Sequence, residues 1–152
     1  MMTYQEYTDK RQKEFNELPV FFAFSNEQFR EAMQERGLTE KDTDKVYSLG
    51  CGGYYLKSDS EIIRAYFSKP DELSELMKDY DFCKSAVYYE MCNHEYGINL
   101  EADWEVMSCF GKVKYTEAED ELQTYWDALD WDETQRKAYM DARTKYYNNV
   151  EY

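Results

Sequence analysis

The chain has 152 residues, enough for one domain of ordinary size, with 43% hydrophobic and 18% aromatic residues. Sixteen Tyr, 8 Phe and 3 Trp exclude a disordered tail and point to a core built from Tyr and Phe, whose buried hydroxyls need partners. A net charge of −14 excludes direct binding to DNA, RNA or anionic membranes, which leaves basic protein surfaces, metal cations or plain solubility to account for it.

In chain order, the spacing of Tyr4, Tyr7, Arg11, Phe15 and Leu18, one stripe with an arginine in it, predicts a helix over residues 3–18, ended by Pro19. The run "VFFAF" comes next as a buried strand or a packed connector. Ser25 with Gln28 three residues on reads as a capping box for a second helix reaching Arg36, with Gly37 as its stop. In "KVYSLGCGGYYLKSD" a glycine turn between two alternating runs predicts a β-hairpin over about 46–57. Ser58 or Ser60 is expected to cap the next helix, and Pro70 to open a short one at its first position. A longer helix is expected over 81–96, stopped by Gly97. The alternation in "DWEVMSCFGKVKY" predicts a second short strand pair at about 104–115, although a helix also suits its first half. Helices over 117–130 and 133–149 close the chain. The expected architecture is a single compact α+β domain over 1–152, predominantly helical.

Motifs for catalysis or cofactors are weak. The glycines of "LGCGGYY" lead into a strand-like run rather than a helix, so they read as a turn and not as a phosphate loop. His94 is the only histidine. Glu90 lies four residues before it and would share its helix face, but Cys92 points elsewhere, so a third ligand is lacking. Cys51, Cys83, Cys92 and Cys109 form no CxxC pair and read as free thiols, mostly buried. No nucleophile elbow accompanies His94. The sequence therefore supports no metal site, no cofactor and no enzyme; a small metal-dependent enzyme centred on His94 is the least favoured alternative.

The charge is concentrated. Residues 97–133 carry 11 acids against 2 bases, and the stretch "TEAEDELQTYWDALDWDE" at 116–133 carries eight acids and no base. Read as a helix from Glu117, that stretch gathers Ala118, Leu122, Tyr125, Trp126 and Leu129 in one arc and Glu117, Asp120, Glu121 and Asp127 in the opposite one. The aromatics are then core and the acids one exposed face. Helices ordinarily place Lys four residues from Glu; here Glu117 and Glu121 repel, and Asp127 and Asp130 sit at the negative helix end. That costs stability and favours a surface with a purpose. The candidate partner-binding residues are Glu117, Glu119, Asp120, Glu121, Asp127, Asp130, Asp132 and Glu133, with Glu101, Asp103 and Glu105 as extensions. Their charge spacing approaches that of a short nucleic acid, so the surface reads either as a merely solvated face or as one made for a basic nucleic-acid groove on another protein.

The stretches "LPVFFAFSNEQFREAMQERGL" and "SLGCGGYYLKSDSEIIRAYFSKPDELSELMKD", with "NHEYGIN" and "SCFG", resemble a family of small proteins of unassigned function from Firmicutes prophages and conjugative elements. The likeness covers about the first 110 residues. What it implies is genomic company: small acidic accessory proteins of such elements include anti-CRISPR and antirestriction inhibitors, to which this chain is similar in type.

The resulting expectation is a cytoplasmic, non-enzymatic inhibitor that sets an acidic, nucleic-acid-mimicking surface against a host defence enzyme such as a CRISPR nuclease. The alternative is an accessory homodimer without mimicry, burying Trp104, Trp131 and Tyr147.

Overall fold

Proline, glycine and short polar caps divide the chain into eight α-helices and three strands in a computed structural model that describes residues 2–149. Two compact units emerge: residues 8–70, and Asp71 onward together with the residues up to Tyr7.

Helix α1 (Tyr4–Asn16) contributes its residues from 8 onward to the unit 8–70 and ends before Pro19, and "VFF" forms strand β1 (Val20–Phe22). Ser25 caps α2 (Asn26–Glu35) by accepting the Gln28 N–H at 3.1 Å, and the Gln28 side chain accepts the N–H of Phe24 rather than that of the cap. Gly37 supplies the left-handed stop at φ 73°. The predicted hairpin is strands β2 (Val46–Gly50) and β3 (Gly53–Leu56); β3 is central in the antiparallel order β1-β3-β2, with Val20 opposite Tyr55 and Ser48 opposite Tyr54. Three consecutive positive-φ residues, Gly50, Cys51 and Gly52, make the turn, and a Cβ on Gly52 would fall 2.4 Å from the Phe24 ring. The glycines are therefore a turn, as their strand context requires. Helix α3 (Ser60–Phe67) comes after a single 3-10 turn at 57–59; neither Ser58 nor Ser60 caps it, because the Ser60 hydroxyl donates to the Lys57 carbonyl at 2.7 Å.

The other unit holds α4 (Glu72–Leu76), α5 (Tyr80–Asn93), α6 (Ala102–Ser108), α7 (Glu121–Ala128) and α8 (Glu133–Asn149). Pro70 precedes α4 by two residues; the cap is Asp71, whose carboxylate takes the Ser74 N–H at 3.1 Å. Helix α5 packs along α8 around Phe82, Val87, Met91, Tyr139 and Tyr146. The core is aromatic as expected, but Met77, Met91 and Met107 fill it as well. Its tyrosine hydroxyls are satisfied: Tyr4 donates to Glu90 at 3.1 Å, Tyr96 and Tyr139 donate to Asp103, and Tyr146 accepts the Gly97 N–H at 3.2 Å.

Helix α5 stops at Asn93, short of the expected 96, and two further regions differ from the sequence expectation. No strand pair forms at 104–115. Ala102, Val106 and Met107 are buried on one side of helix α6, and Phe110 is buried just past its end. Past residue 111 the chain is irregular, held by the Trp104 Nε1–H donating to the Val113 carbonyl at 3.0 Å. Helix α7 starts at Glu121 rather than Glu117. The Tyr125 hydroxyl accepts the Thr116 N–H at 3.2 Å and donates to the Thr116 carbonyl at 3.1 Å, which occupies the backbone that a longer helix would need. Among the described residues no helix is long and apolar enough to cross a membrane.

Candidate functional site

The acidic segment is largely exposed, but it is not one helix face. Seven of its eight carboxylates belong to exposed residues and Glu121 is half-buried. Glu117, Glu119 and Asp120 precede α7. Within α7, Glu121 and Asp127 lie six positions apart, roughly 120° around the axis, so the single acidic arc does not form. Tyr125 is core, as projected, and Trp126 is half-buried; Ala118, placed in the apolar arc by the projection, is exposed.

Several acids serve the local fold. Asp132 is the N-cap of α8: its carboxylate accepts the Gln135 N–H at 2.9 Å while the Gln135 side chain accepts the Asp132 N–H at 2.9 Å, a reciprocal capping box. Asp130 adopts φ 53° just past α7, and the Trp131 N–H reaches back to the Trp126 carbonyl at 3.0 Å, which closes the helix in a Schellman turn. Asp127 pairs with Arg136 at 2.9 Å. Burial holds the Glu121 carboxyl above its ordinary range, and the charge of Asp103 adds to that. Glu117 accepts the Tyr115 hydroxyl at 3.2 Å. Glu119, Asp120 and Glu133 have no side-chain partner among the described residues, and Asp127 is the one acid of the eight in an ion pair.

The proposed extensions fare differently. Glu101 is exposed. Asp103 turns inward to the hydroxyls of Tyr96, at 2.6 Å, and Tyr139, and Glu105 turns to His94. Of the three aromatics assigned to a homodimer, Trp131 is 5% exposed and belongs to the unit's own core, Trp104 is half-buried, and Tyr147 is exposed.

A second constellation lies at the ends of α5 and α6. Glu90 is buried, and its carboxylate accepts the Tyr4 hydroxyl at Oε1 and the Cys109 thiol at Oε2, the latter at 3.0 Å. His94 sits between two carboxylates, with Nε2 3.3 Å from Glu90 Oε2 and Nδ1 3.2 Å from Glu105 Oε2. The Cys109 sulfur is 3.5 Å from His94 Nε2. Asn99 holds Glu105 in place, donating to it at 2.6 Å and to the His94 carbonyl at 3.2 Å. Burial, then the hydrogen bond to Glu90 and the nearby carboxylates, push the Cys109 thiol well above the ordinary thiol range.

Glu90 and His94 were visible in the sequence as an i, i+4 pair; Glu105 and Cys109 were not. They are an i, i+4 pair as well, and the signal was present in "EVMSC" once residues 102–108 are read as helix. The alternation of that segment hid it. The buried-thiol expectation holds for Cys83; Cys109 is half-buried, and Cys51 and Cys92 are exposed.

A family model, described as a family of unknown function (DUF7659), matches residues 3–130. No curated protein and no solved structure matches the chain. The chain belongs to the DUF7659 family.

Proposed function

We propose that the chain is a non-catalytic binding module that sets its acidic segment, residues 116–133, against the basic groove of a nucleic-acid-binding protein and so competes with nucleic acid. The finer form of this reading is a cytoplasmic inhibitor from a mobile element directed at a host defence enzyme such as a CRISPR nuclease. The observation that carries it is the set of exposed carboxylates at Glu117, Glu119, Asp120 and Glu133, which have no cation of their own; Asp120 stands at the N-cap position of α7 without a side-chain capping bond, and Glu133 lies in the first turn of α8. Asp127, Asp130 and Asp132 add charge while serving the fold. A groove lined by Lys and Arg would supply the counter-charge that the chain withholds, speeding encounter and fixing register more than adding affinity.

The test is capture from a lysate of the cells that carry the gene, with wild-type protein and with a variant bearing Glu117→Lys, Glu119→Lys, Asp120→Lys and Glu133→Lys. None of the four removes a side-chain capping hydrogen bond, an ion pair or a core contact. The expected result is a partner displaced by DNA or RNA, bound on the order of tenfold or more weakly by the variant, with affinity falling as salt rises. Equal binding by the folded variant, or a partner indifferent to nucleic acid, would contradict the proposal.

A further inference from the structure

The buried carboxylate of Glu90 has no lysine or arginine beside it. Its partners are the Tyr4 hydroxyl, the Cys109 thiol and the His94 ring, and among the described residues no Lys or Arg forms an ion pair with it. A buried carboxylate without a fixed cation is costly unless a positive charge is supplied from elsewhere. His94 is the C-cap of α5 and Cys109 the C-cap of α6, so two helix ends of negative potential meet at this point.

We propose that Glu90 Oε2, His94 Nε2 and Cys109 Sγ bind a divalent cation of the zinc class. The three atoms lie 3.0 to 3.5 Å from one another: sulfur to oxygen 3.0, nitrogen to oxygen 3.3 and sulfur to nitrogen 3.5 Å. Ligands at ordinary zinc distances on a tetrahedron are separated by about 3.4–3.6 Å. Two of the three edges therefore match to about 0.1 Å, and the third opens by about 0.6 Å when the thiol–carboxylate hydrogen bond is replaced. As the metal–sulfur bond forms, the thiol proton leaves to solvent.

The donor set of one thiolate, one imidazole and one carboxylate suits zinc better than calcium or magnesium, which take oxygen ligands. Glu105 completes the arrangement from behind. Its Oε2 faces His94 Nδ1 at 3.2 Å, which fixes the ring with Nε2 toward the other two ligands, the usual outer partner of a metal-bound histidine. Three protein ligands leave a fourth position for water or an outside donor, and the His94 side chain, 28% exposed, gives access to it. The bound cation would join α5 to α6.

The test uses metal-free, reduced protein titrated with zinc by calorimetry and with cobalt(II) by absorption. The expected result is one equivalent bound, with a thiolate-to-cobalt charge-transfer band and the visible bands of a tetrahedral site. The band should vanish in Cys109→Ser and survive in Cys92→Ser, while Glu105→Gln should weaken zinc by about 10–100-fold and leave the band. No stoichiometric uptake, or a band intact in folded Cys109→Ser, would overturn the proposal. Should Cys109→Ser fail to fold, alkylation of the wild type read by mass spectrometry decides the question. Zinc should block Cys109 while Cys51 and Cys92 still react, and equal labelling of Cys109 with and without zinc would overturn the site.

Discussion

Asp130 shows how one residue can look functional and serve the fold. It stands in the most acidic stretch of the chain, yet its backbone takes φ 53°, a conformation that favours glycine, to close α7. Asp130→Gly should therefore raise stability by roughly 0.5–1 kcal/mol, seen as a higher denaturant midpoint at unchanged slope. Glu95 does the same after α5, at φ 52°, where the sequence pointed to Gly97. Nothing in residue type announces a left-handed acid, which is why neither stop was legible. Glu121 is the opposite case, an acid held where ionisation is disfavoured. Burial, then Asp103, raise its folded value above the unfolded one, so its ionised form costs stability at neutral pH, and that cost disappears as pH falls and the group protonates. Glu121→Gln should raise the thermal midpoint at neutral pH, and the gain should shrink to nothing below the carboxylate range.

At the scale of elements, the fold is legible in the sequence where caps and glycines punctuate it. The hairpin at 46–57, the Ser25 cap and the start of α8 at Glu133 stem from turn chemistry and capping rules that act over three or four residues. It is not legible between Gly97 and Glu121. There a seven-residue helix spans only about two turns, so its apolar stripe competes with the strand-like alternation of the same residues, and hydrogen bonds distant in sequence, Trp104 to Val113 and Tyr125 to Thr116, decide the path of the chain. The Glu90, His94 and Cys109 cluster depends on that helix, so its second half is hidden in the sequence. Asp103 is the hinge of the same region, linking α6 to α8 through Tyr139 and to the segment after α5 through Tyr96. Asp103→Ala would leave two core hydroxyls without their acceptor and should cost about 2–5 kcal/mol in chemical denaturation. Asp103→Asn, which keeps an acceptor oxygen, should cost less.

For the whole molecule, composition was the most transparent level. Helical dominance with a small antiparallel sheet, a ring-rich core and paired tyrosine hydroxyls all accord with a chain of many aromatics and few aliphatics. The surface charge was legible in amount but not in arrangement. The notion of one acidic helix face gives way to a bent run in which Asp127, Asp130 and Asp132 hold the fold while Glu117, Glu119, Asp120 and Glu133 remain available to a partner. The central claim is that this available charge meets a basic nucleic-acid groove, and the most direct measurement is competition on the captured partner. With the partner immobilised, unlabelled duplex or single-stranded nucleic acid should release the bound chain at low salt, and the four-lysine variant should not compete for the same site. Simultaneous binding of nucleic acid and chain, or a variant as effective as the wild type, would contradict it.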